Sequence, residues 1–405
     1  MQYRTMAKTG DRLSALGLGC MRLPTVKKGR IDREKAARLI RKAIDEGVNY
    51  LDTAFPYHDG QSEPFLGEVL ATDGYRDRVK LATKLPHWLV RESADMPKLL
   101  NVQLERLQTD RIDYYLIHML RESRWETLKQ LGAIEFLERA RREGRIGHIG
   151  FSSHAGRDEF MRLVDDYDWE FTQIQYNFLD TQNQAGAEGL RHAAERGLGM
   201  VIMEPLRGGN LAKQQPEGIQ QIWDRADTKR TPAEWALRWL WNYPEIHVVL
   251  SGMTHEPELD ENLKTVETAE PHSLTQEELA LVDEVADAYR AKMRAGCTGC
   301  QYCMPCPTGI NIPACLQLLD SYHLFGNKRG HQFSYMFMAA GILDPNRTLA
   351  SECIECGKCT KKCPQNLPIP ELLKEVSGLF EGFGARMTLR LSKPYLWLKR
   401  RRTIR

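Results

Sequence analysis

Eight short apolar segments recur along the first two thirds of the chain and constrain its fold more than any other feature. They are rich in β-branched residues, and stretches with helical spacing separate them. The segments are LSALGLG ending at Gly19, VNYLDTA at 48–54, VKLATKL at 79–85, IDYYLIH at 112–118, IGHIGFSS at 146–153, FTQIQYN at 171–177, GMVIMEP at 199–205 and IHVVLSG at 246–252. Eight alternations of strand and helix over about 250 residues predict a (β/α)8 barrel.

The stretches between the segments support this fold. REKAARLIRKAIDEG, MPKLLNVQLERLQ and ETLKQLGAIEFLERARREG have helical spacing, and PAEWALRWLWN is preceded by Thr231 at the cap of a capping box with Glu234. No strand is followed by a Gly-x-Gly-x-x-Gly turn that opens a helix. The sequence therefore argues against a doubly wound dinucleotide-binding sheet.

Polar residues close several of the apolar segments, at the strand ends where barrels of this kind carry their chemistry. In chain order they are Asp52, Lys84, His118, Ser152 and Gln173. Tyr57 follows Asp52 by five residues, in the next loop. A nearby cation favours the tyrosinate anion, so Lys84 paired with Asp52 would make the Tyr57 hydroxyl a better proton donor. His118 can orient and polarise a carbonyl oxygen.

The segments DTAFPYHDG, ATKL, YYLIH and IGFSSH, in this order, resemble the aldo-keto reductases over residues 1–270. The resemblance implies a barrel that binds NAD or NADP without a Rossmann fold and reduces an aldehyde or ketone by hydride transfer. It implies Tyr57 as the general acid, Lys84 paired with Asp52 to lower the pKa of Tyr57, and His118 positioning the carbonyl.

The same resemblance implies the residues that contact the cofactor. These are Gly19, Cys20, Met21, Asp52, Ser152, Ser153, Gln173, Met203, Pro205, Leu206, Gly208, Gly209, Gly252, Met253, Glu258 and Asn262. Ser153 stands where the family usually has Asn. Met203 stands where many members have a Tyr beneath the nicotinamide, although a thioether also packs on a ring face. Glu258 lies near an Arg of NADPH-preferring members, and a carboxylate there favours NADH because it repels a 2′-phosphate.

Nine of the ten cysteines lie between Cys297 and Cys363. In a reducing compartment, such thiols are more often metal ligands than disulfides. The first run, CTGCQYCMPCP, contains Cys297, Cys300, Cys303 and Cys306. The second run contains Cys353, Cys356, Cys359 and Cys363, with the C-x2-C-x2-C-x3-C-P spacing of [4Fe–4S] ferredoxins.

The ferredoxin spacing predicts two clusters, each of which takes three ligands from one cysteine run and its fourth ligand from the other run. Cys363 completes the cluster of Cys297, Cys300 and Cys303, while Cys306 completes the other cluster. The first run has two residues, not three, before its last cysteine, so the opposite assignment stays open. Zinc held by four thiolates is the alternative metal. The apolar stretches between the runs favour a mainly helical ferredoxin domain, with Cys315 as a spare thiol.

Three regions follow from these patterns: a barrel at 1–272, a helical iron–sulfur domain at 273–375 and a basic tail at 376–405. Residues 386–405 contain eight basic side chains and no acidic one, and the rest of the chain has 48 basic against 54 acidic. The acidic body argues against nucleic-acid binding. The tail is either a solvated terminus or a contact for an anionic surface or an acidic redox protein.

Without a long apolar run or a secretory signal, we expect no transmembrane segment and a cytoplasmic location.

The leading hypothesis is a carbonyl reductase that uses NAD or NADP on a small-molecule substrate and carries a dicluster module. The module would exchange electrons with a protein partner or support the fold. The alternative is a nicotinamide-binding electron-transfer or redox-sensing protein whose barrel serves as a docking unit. Hydride carries two electrons whereas each cluster accepts one, and the sequence contains no flavin motif that would connect the two.

Overall fold

The computed structural model describes residues 1–26, 30–213, 215–297, 299, 302–340, 348–363 and 366–382. Its contacts divide the chain into two compact units. The first comprises Met1–Thr181 and Ala185–Glu284, and the second comprises Gln182–Gln184 and the residues from Val285 onward. The predicted domain limits at 272/273 and 375/376 remain predictions.

Eight parallel strands close into a barrel in the first unit, which confirms the predicted fold. They are β3 (Leu16–Gly19), β4 (Tyr50–Asp52), β5 (Lys80–Leu85), β6 (Ile112–Ile117), β7 (Ile146–Ser153), β8 (Phe171–Gln175), β9 (Gly199–Met203) and β10 (Ile246–Ser251). Pairing of β10 with both β3 and β9 closes the barrel. The strands β1 (Tyr3–Thr5) and β2 (Arg12–Ser14) form an antiparallel pair outside it, so the first predicted segment is divided between β2 and β3.

Within the described residues of the first unit, ten α-helices follow the strands or lie between them. They are α1 (Arg33–Asp45), α2 (Ser62–Leu70), α3 (Asp95–Leu107), α4 (Glu122–Gln130), α5 (Ala133–Arg142), α6 (Arg157–Asp165), α7 (Gly186–Glu195), α8 (Glu217–Trp223), α9 (Pro232–Trp241) and α10 (Glu256–Glu267). The stretch with helical spacing at 126–144 contains parts of two helices, because the chain breaks between α4 and α5. Gly132 stands at the break with a φ of 80°, a left-handed conformation that glycine adopts without steric cost.

The barrel interior explains how the polar strand ends come to face one another. An apolar layer inside the barrel includes Tyr50, Ala82, Phe171 and Val201. Two residues further along the same strands stand Asp52, Lys84, Gln173 and Met203. Because side chains on one face of a strand recur every second residue, this second set lies directly above the apolar layer.

The second unit is mainly helical, as predicted. Helix α11 (Gln276–Ala291) crosses the dividing point, and α12 (Ile312–Phe325), α13 (Lys328–Ser334), α14 (Lys358–Lys362) and α15 (Ile369–Phe380) follow. Their core includes Ile310, Leu319, Val376 and Phe380, and several half-buried cysteines pack against it. Among the residues with described positions, no helix combines the length and apolar character needed to cross a membrane.

Candidate active site and cysteine-lined cavity

A buried ion pair lies at the ends of the neighbouring strands β4 and β5. The Lys84 ammonium is 2.7 Å from each carboxylate oxygen of Asp52 and 2.8 Å from the Thr53 carbonyl oxygen. Both charged side chains are almost completely buried. Burial raises the pKa of Asp52 against the opposing effect of Lys84, while Asp52 and Tyr57 raise the pKa of Lys84 despite its burial. The three short contacts keep Lys84 protonated at neutral pH.

The Tyr57 hydroxyl is the fourth polar neighbour of this ammonium, at 3.5 Å from Lys84 Nζ. Burial raises the pKa of Tyr57, and Lys84 opposes that rise without cancelling it. The lysine thus acts in the direction expected from the sequence, but burial has the larger effect. The phenol is consequently protonated at neutral pH, with a cation beside it that can stabilise the tyrosinate.

The His118 side chain completes the group at the end of β6. Its ring centroid lies 6.2 Å from that of Tyr57 and 5.3 Å from that of Trp88. Burial, and secondarily the Lys84 cation, hold the pKa of His118 well below its ordinary value, so the imidazole is neutral at physiological pH. Its buried Nδ1 has no hydrogen-bond partner within the described part of the chain. A neutral ring beside a phenol can bind and orient a carbonyl oxygen.

A hydroxyl pair that the sequence analysis missed braces the loop that carries Tyr57. Thr53 Oγ1 and Ser62 Oγ are 2.8 Å apart, and Ser62 also donates to the Cys20 carbonyl oxygen at 3.1 Å. His58, next to Tyr57, adopts a φ of 51°, which is uncommon for a residue with a side chain. These two hydrogen bonds therefore connect the loop after β3 to both ends of the Tyr57 loop, at Thr53 and at Ser62. A threonine and a serine nine residues apart gave no sequence signal.

The predicted nicotinamide contacts lie at the ends of β7, β8 and β9. Gln173 Nε2 lies 3.6 Å from Met203 Sδ, and Gln173 Oε1 is buried with no hydrogen-bond partner among the described residues. Ser152 Oγ accepts a hydrogen bond from the Met119 N–H at 2.9 Å. The unpaired amide oxygen and the serine hydroxyl suit a carboxamide. Ser153 instead holds the backbone, donating to the Leu120 carbonyl oxygen.

The loop after β9 contains Pro205, Leu206, Gly208 and Gly209, and a buried acid outside the prediction holds it in place. Asp180 Oδ2 accepts from Arg207 Nε at 2.9 Å, and Asn177 Nδ2 donates to the Glu204 carbonyl oxygen at 3.3 Å. Positive φ values of 70° and 86° at the two glycines bend the loop, and the Arg22 guanidinium lies beside Gly208. Such a turn allows a ligand to approach the main chain closely.

Around the ends of β10 and β3 lie the remaining predicted cofactor contacts, namely Gly252, Met253, Glu258, Asn262, Gly19, Cys20 and Met21. Glu258 Oε2 accepts from the Thr254 N–H at 2.6 Å, the Thr254 hydroxyl at 3.1 Å and the His255 N–H at 3.3 Å. The carboxylate thus caps α10 and occupies backbone donors that would otherwise be available to an anion. Asn262 Nδ2 donates to Ser251 Oγ, Cys20 is buried and Met21 is exposed.

An open cavity lies in the second unit, and cysteines from both runs line it. They are Cys303, Cys306, Cys353, Cys356 and Cys359. The four ligands expected for the second cluster are among them, together with Cys303, which was assigned to the first cluster. The exchanged position of Cys306 therefore stays a prediction, and soft thiolates suit iron–sulfur chemistry. Among the described residues, no three His, Cys, Asp or Glu side chains converge tightly enough to hold a single metal ion.

The remaining cysteines include three expected ligands of the first cluster. Cys297 and Cys363 are half-buried, and Cys300 lies outside the described residues. Cys315 is completely buried in α12, and its status as a non-ligand stays a prediction.

A buried acid shapes the start of the first cysteine run. Asp320, on α12, accepts from the N–H groups of Ala295, Gly296 and Cys297 at 2.6, 3.0 and 3.4 Å. These contacts fix the backbone where the run begins. The position of Asp320 in an apolar helix gave only a weak sequence signal.

Comparisons with known proteins agree with this two-part organisation. A model of the Aldo/keto reductase family matches residues 15–287, and a model of the 4Fe-4S dicluster domain matches residues 296–367. An uncharacterized oxidoreductase of Bacillus subtilis, YrpG, is 31% identical over 240 residues, which cover 52% of this chain and 68% of the relative.

Solved structures show the same barrel fold. The holo form of the aldo-keto reductase AKR11C1 from Bacillus halodurans has a TM-score of 0.60 at 26% identity, covering 70% of this chain and 96% of that chain. An aldo-keto reductase from Klebsiella pneumoniae in complex with NADPH has a TM-score of 0.58 at 23% identity, covering 71% and 96%. The match to residues 15–287 spans more than half of the sequence. The chain therefore belongs to the aldo/keto reductase family of oxidoreductases and carries a 4Fe-4S dicluster domain after its barrel.

Proposed function

We propose that this chain is a carbonyl reductase that uses NAD(P)H, with Tyr57 as the general acid. The observation that carries the proposal is the contact of Lys84 Nζ with Asp52, the Thr53 carbonyl and the Tyr57 hydroxyl at the mouth of the barrel. A buried lysine needs one counter-ion for stability, and the fourth contact, to a phenol, serves proton transfer. The substrate class is small-molecule aldehydes or ketones.

Each side chain of the group has a distinct role in this proposal. A nicotinamide held by Gln173 and Ser152 would supply a hydride to the carbonyl carbon. Neutral His118 holds the carbonyl oxygen towards Tyr57, and Tyr57 gives its hydroxyl proton to that oxygen. Lys84 stabilises the resulting tyrosinate, and Asp52 holds the ammonium in position. A positioned acid of this kind contributes about 10²- to 10⁴-fold to the rate.

The loop before α10 favours NADH over NADPH in this proposal. Glu258 already accepts the Thr254 and His255 N–H groups, so a 2′-phosphate would meet a negative charge and find these donors occupied. A ribose hydroxyl, in contrast, can donate to a carboxylate. Gln173 and Ser152 would hold the carboxamide, and the bent loop after β9 would lie along the phosphates.

The second unit is proposed to hold two [4Fe–4S] clusters, one on Cys306, Cys353, Cys356 and Cys359. The other would take Cys297, Cys300, Cys303 and Cys363. The cavity that Cys306 shares with Cys353, Cys356 and Cys359 is consistent with the first assignment, although Cys303 lines it too. The clusters have no role in the proposed reduction itself.

Replacement of Tyr57 by Phe tests the proposal, with protein purified anaerobically and its iron counted. We expect the variant to lose at least about 10²-fold in aldehyde-dependent NADH oxidation while still binding the nucleotide. Tyr75→Phe is the matched control. Tyr75 precedes β5, at the opposite end of the barrel from the candidate site, and its hydroxyl donates to Asp45. Unchanged turnover in Tyr57→Phe would contradict the proposed acid. Nucleotide binding without any carbonyl reduction in the wild type would favour the electron-transfer alternative.

A further inference from the structure

The second cysteine run reaches the protein surface. Cys356 is exposed, and the neighbouring side chain of Ile354 has 65% of its surface accessible to solvent. Both residues line the cysteine cavity. A cluster held there would have one edge at the surface, where a redox partner could approach it closely. Large aliphatic side chains this exposed are few in the described chain, and this one lies beside an expected cluster ligand.

Basic side chains lie near this edge: Lys358 and Lys362 also line the cavity, and Lys361 belongs to the same short helix, α14. Lys358, Lys361 and Lys362 are all exposed, and none of the three forms an ion pair with a described residue. Two acids lie in the same segment: Glu355 is paired with Lys374 at 2.9 Å, and Glu352 is exposed. The surface formed by Ile354, Cys356 and the three lysines is named here the cysteine face. Among the described residues, its three lysines outnumber the one neighbouring acid that has no ion pair, so basic side chains predominate there.

We propose that the cysteine face docks an acidic one-electron carrier protein. The inference deepens the proposed function, because it rests on a cluster held by Cys306, Cys353, Cys356 and Cys359. An apolar centre with a charged rim is the usual anatomy of a protein interface. Complementary charge steers such encounters and fixes their orientation, and redox encounters typically use small interfaces of less than about 1,200 Å².

The exchange across this face transfers one electron. A reduced carrier, such as a flavodoxin hydroquinone, loses one electron and becomes a semiquinone, and the cluster gains that electron. No bond is made or broken within the cluster ligands, and no proton is released, because the anionic flavin hydroquinone becomes the neutral semiquinone.

Binding of an acidic flavodoxin to the iron-loaded full-length chain tests the proposal. Lys361→Glu combined with Lys362→Glu should raise the Kd measured by isothermal titration calorimetry at least about tenfold at low ionic strength. Lys328→Glu combined with Arg329→Glu is the matched control, since it reverses two adjacent exposed charges in the same unit. The control should leave the Kd unchanged, and wild-type affinity should fall steeply as salt is added.

Equal affinities of the two double variants, or wild-type binding that is insensitive to salt, would overturn the proposal. Binding to anionic phosphatidylserine vesicles with loss in the same variant, but none to flavodoxin, would identify a membrane surface instead. If the Lys361 and Lys362 variant loses iron, its Kd cannot be interpreted. The salt dependence of flavodoxin binding by the iron-loaded wild type then decides whether the proposal holds. A wild type without iron contradicts the cluster assignment, whereas an active Tyr57→Phe enzyme contradicts only the proposed reduction.

Discussion

Replacement of Lys84 by Met gives the sharpest test of the buried ion pair. Met has a similar length and no charge, so the change removes the contacts to Asp52 and to the Thr53 carbonyl while largely preserving volume. The Asp52 carboxylate then remains buried without its cation. Removing one partner of a buried pair costs about 3–5 kcal/mol, and we expect that loss in the free energy of unfolding of the barrel at about pH 8.

The loss in the free energy of unfolding caused by Lys84→Met should become smaller as the pH falls. Burial already raises the pKa of Asp52, and the loss of Lys84 removes the main effect that opposes this rise. A carboxyl whose folded-state pKa exceeds its unfolded value binds a proton on folding, so its stabilising effect is greatest at low pH and is lost as pH rises. The deficit of Lys84→Met should therefore shrink between about pH 8 and pH 5. Asp52→Asn in the same chain should restore part of the loss.

Urea unfolding followed by tryptophan fluorescence measures this effect. Seven of the eight tryptophans lie in the barrel unit, and a Trp397→Phe background removes the eighth. Lys80→Met is the matched control, since this lysine of the same strand pairs with Asp11 at 2.8 Å but is one-third exposed. The control should cost less than about 1 kcal/mol. The reasoning would be refuted if Lys84→Met lowered the free energy of unfolding by no more than Lys80→Met does, or if its loss did not change with pH.

Three further outcomes are expected. Glu258→Arg should raise the ratio of kcat/KM for NADPH over NADH about tenfold or more, because a guanidinium pairs with a 2′-phosphate that the carboxylate repels; steady-state kinetics with both nucleotides checks this. Asp320→Asn should lower the iron bound per chain relative to the exposed-site control Asp287→Asn, because an amide oxygen binds the backbone N–H groups more weakly. The lowered pKa of His118 predicts a neutral ring and hence no inflection from this residue in kcat between about pH 6 and pH 8, which a pH–rate profile measures.

The barrel and the convergence of the candidate residues were predictable because both follow from chain order. Eight apolar segments imply eight strands, and parallel strands bring all their carboxyl ends to one face. Asp52, Lys84 and His118 end three successive strands, so their proximity follows from topology. The break at Gly132 was not predictable from periodicity, since α4 and α5 together look like one amphipathic run.

Contacts that depend on packing were beyond sequence reasoning. The pKa of Tyr57 reflects a balance between burial, which raises it, and the Lys84 charge, which lowers it. The sequence indicated the Lys84 charge, but the degree of burial can be known only from the folded structure. Asp320 reaches three N–H groups more than twenty residues earlier, and Asp180 reaches Arg207 across a loop. Such pairings have no fixed spacing, because the fold and not the local sequence brings the partners together.

Transfer of a labelled hydride tests the central claim most directly. The iron-loaded wild type is supplied with NADH deuterated at C4, in each stereochemical form, and with an aldehyde, and the alcohol is examined by mass spectrometry and NMR. We predict that one form delivers deuterium to the carbinol carbon at one atom per turnover. Product without carbon-bound deuterium from either form, with NADH consumed, would contradict direct hydride transfer in this barrel.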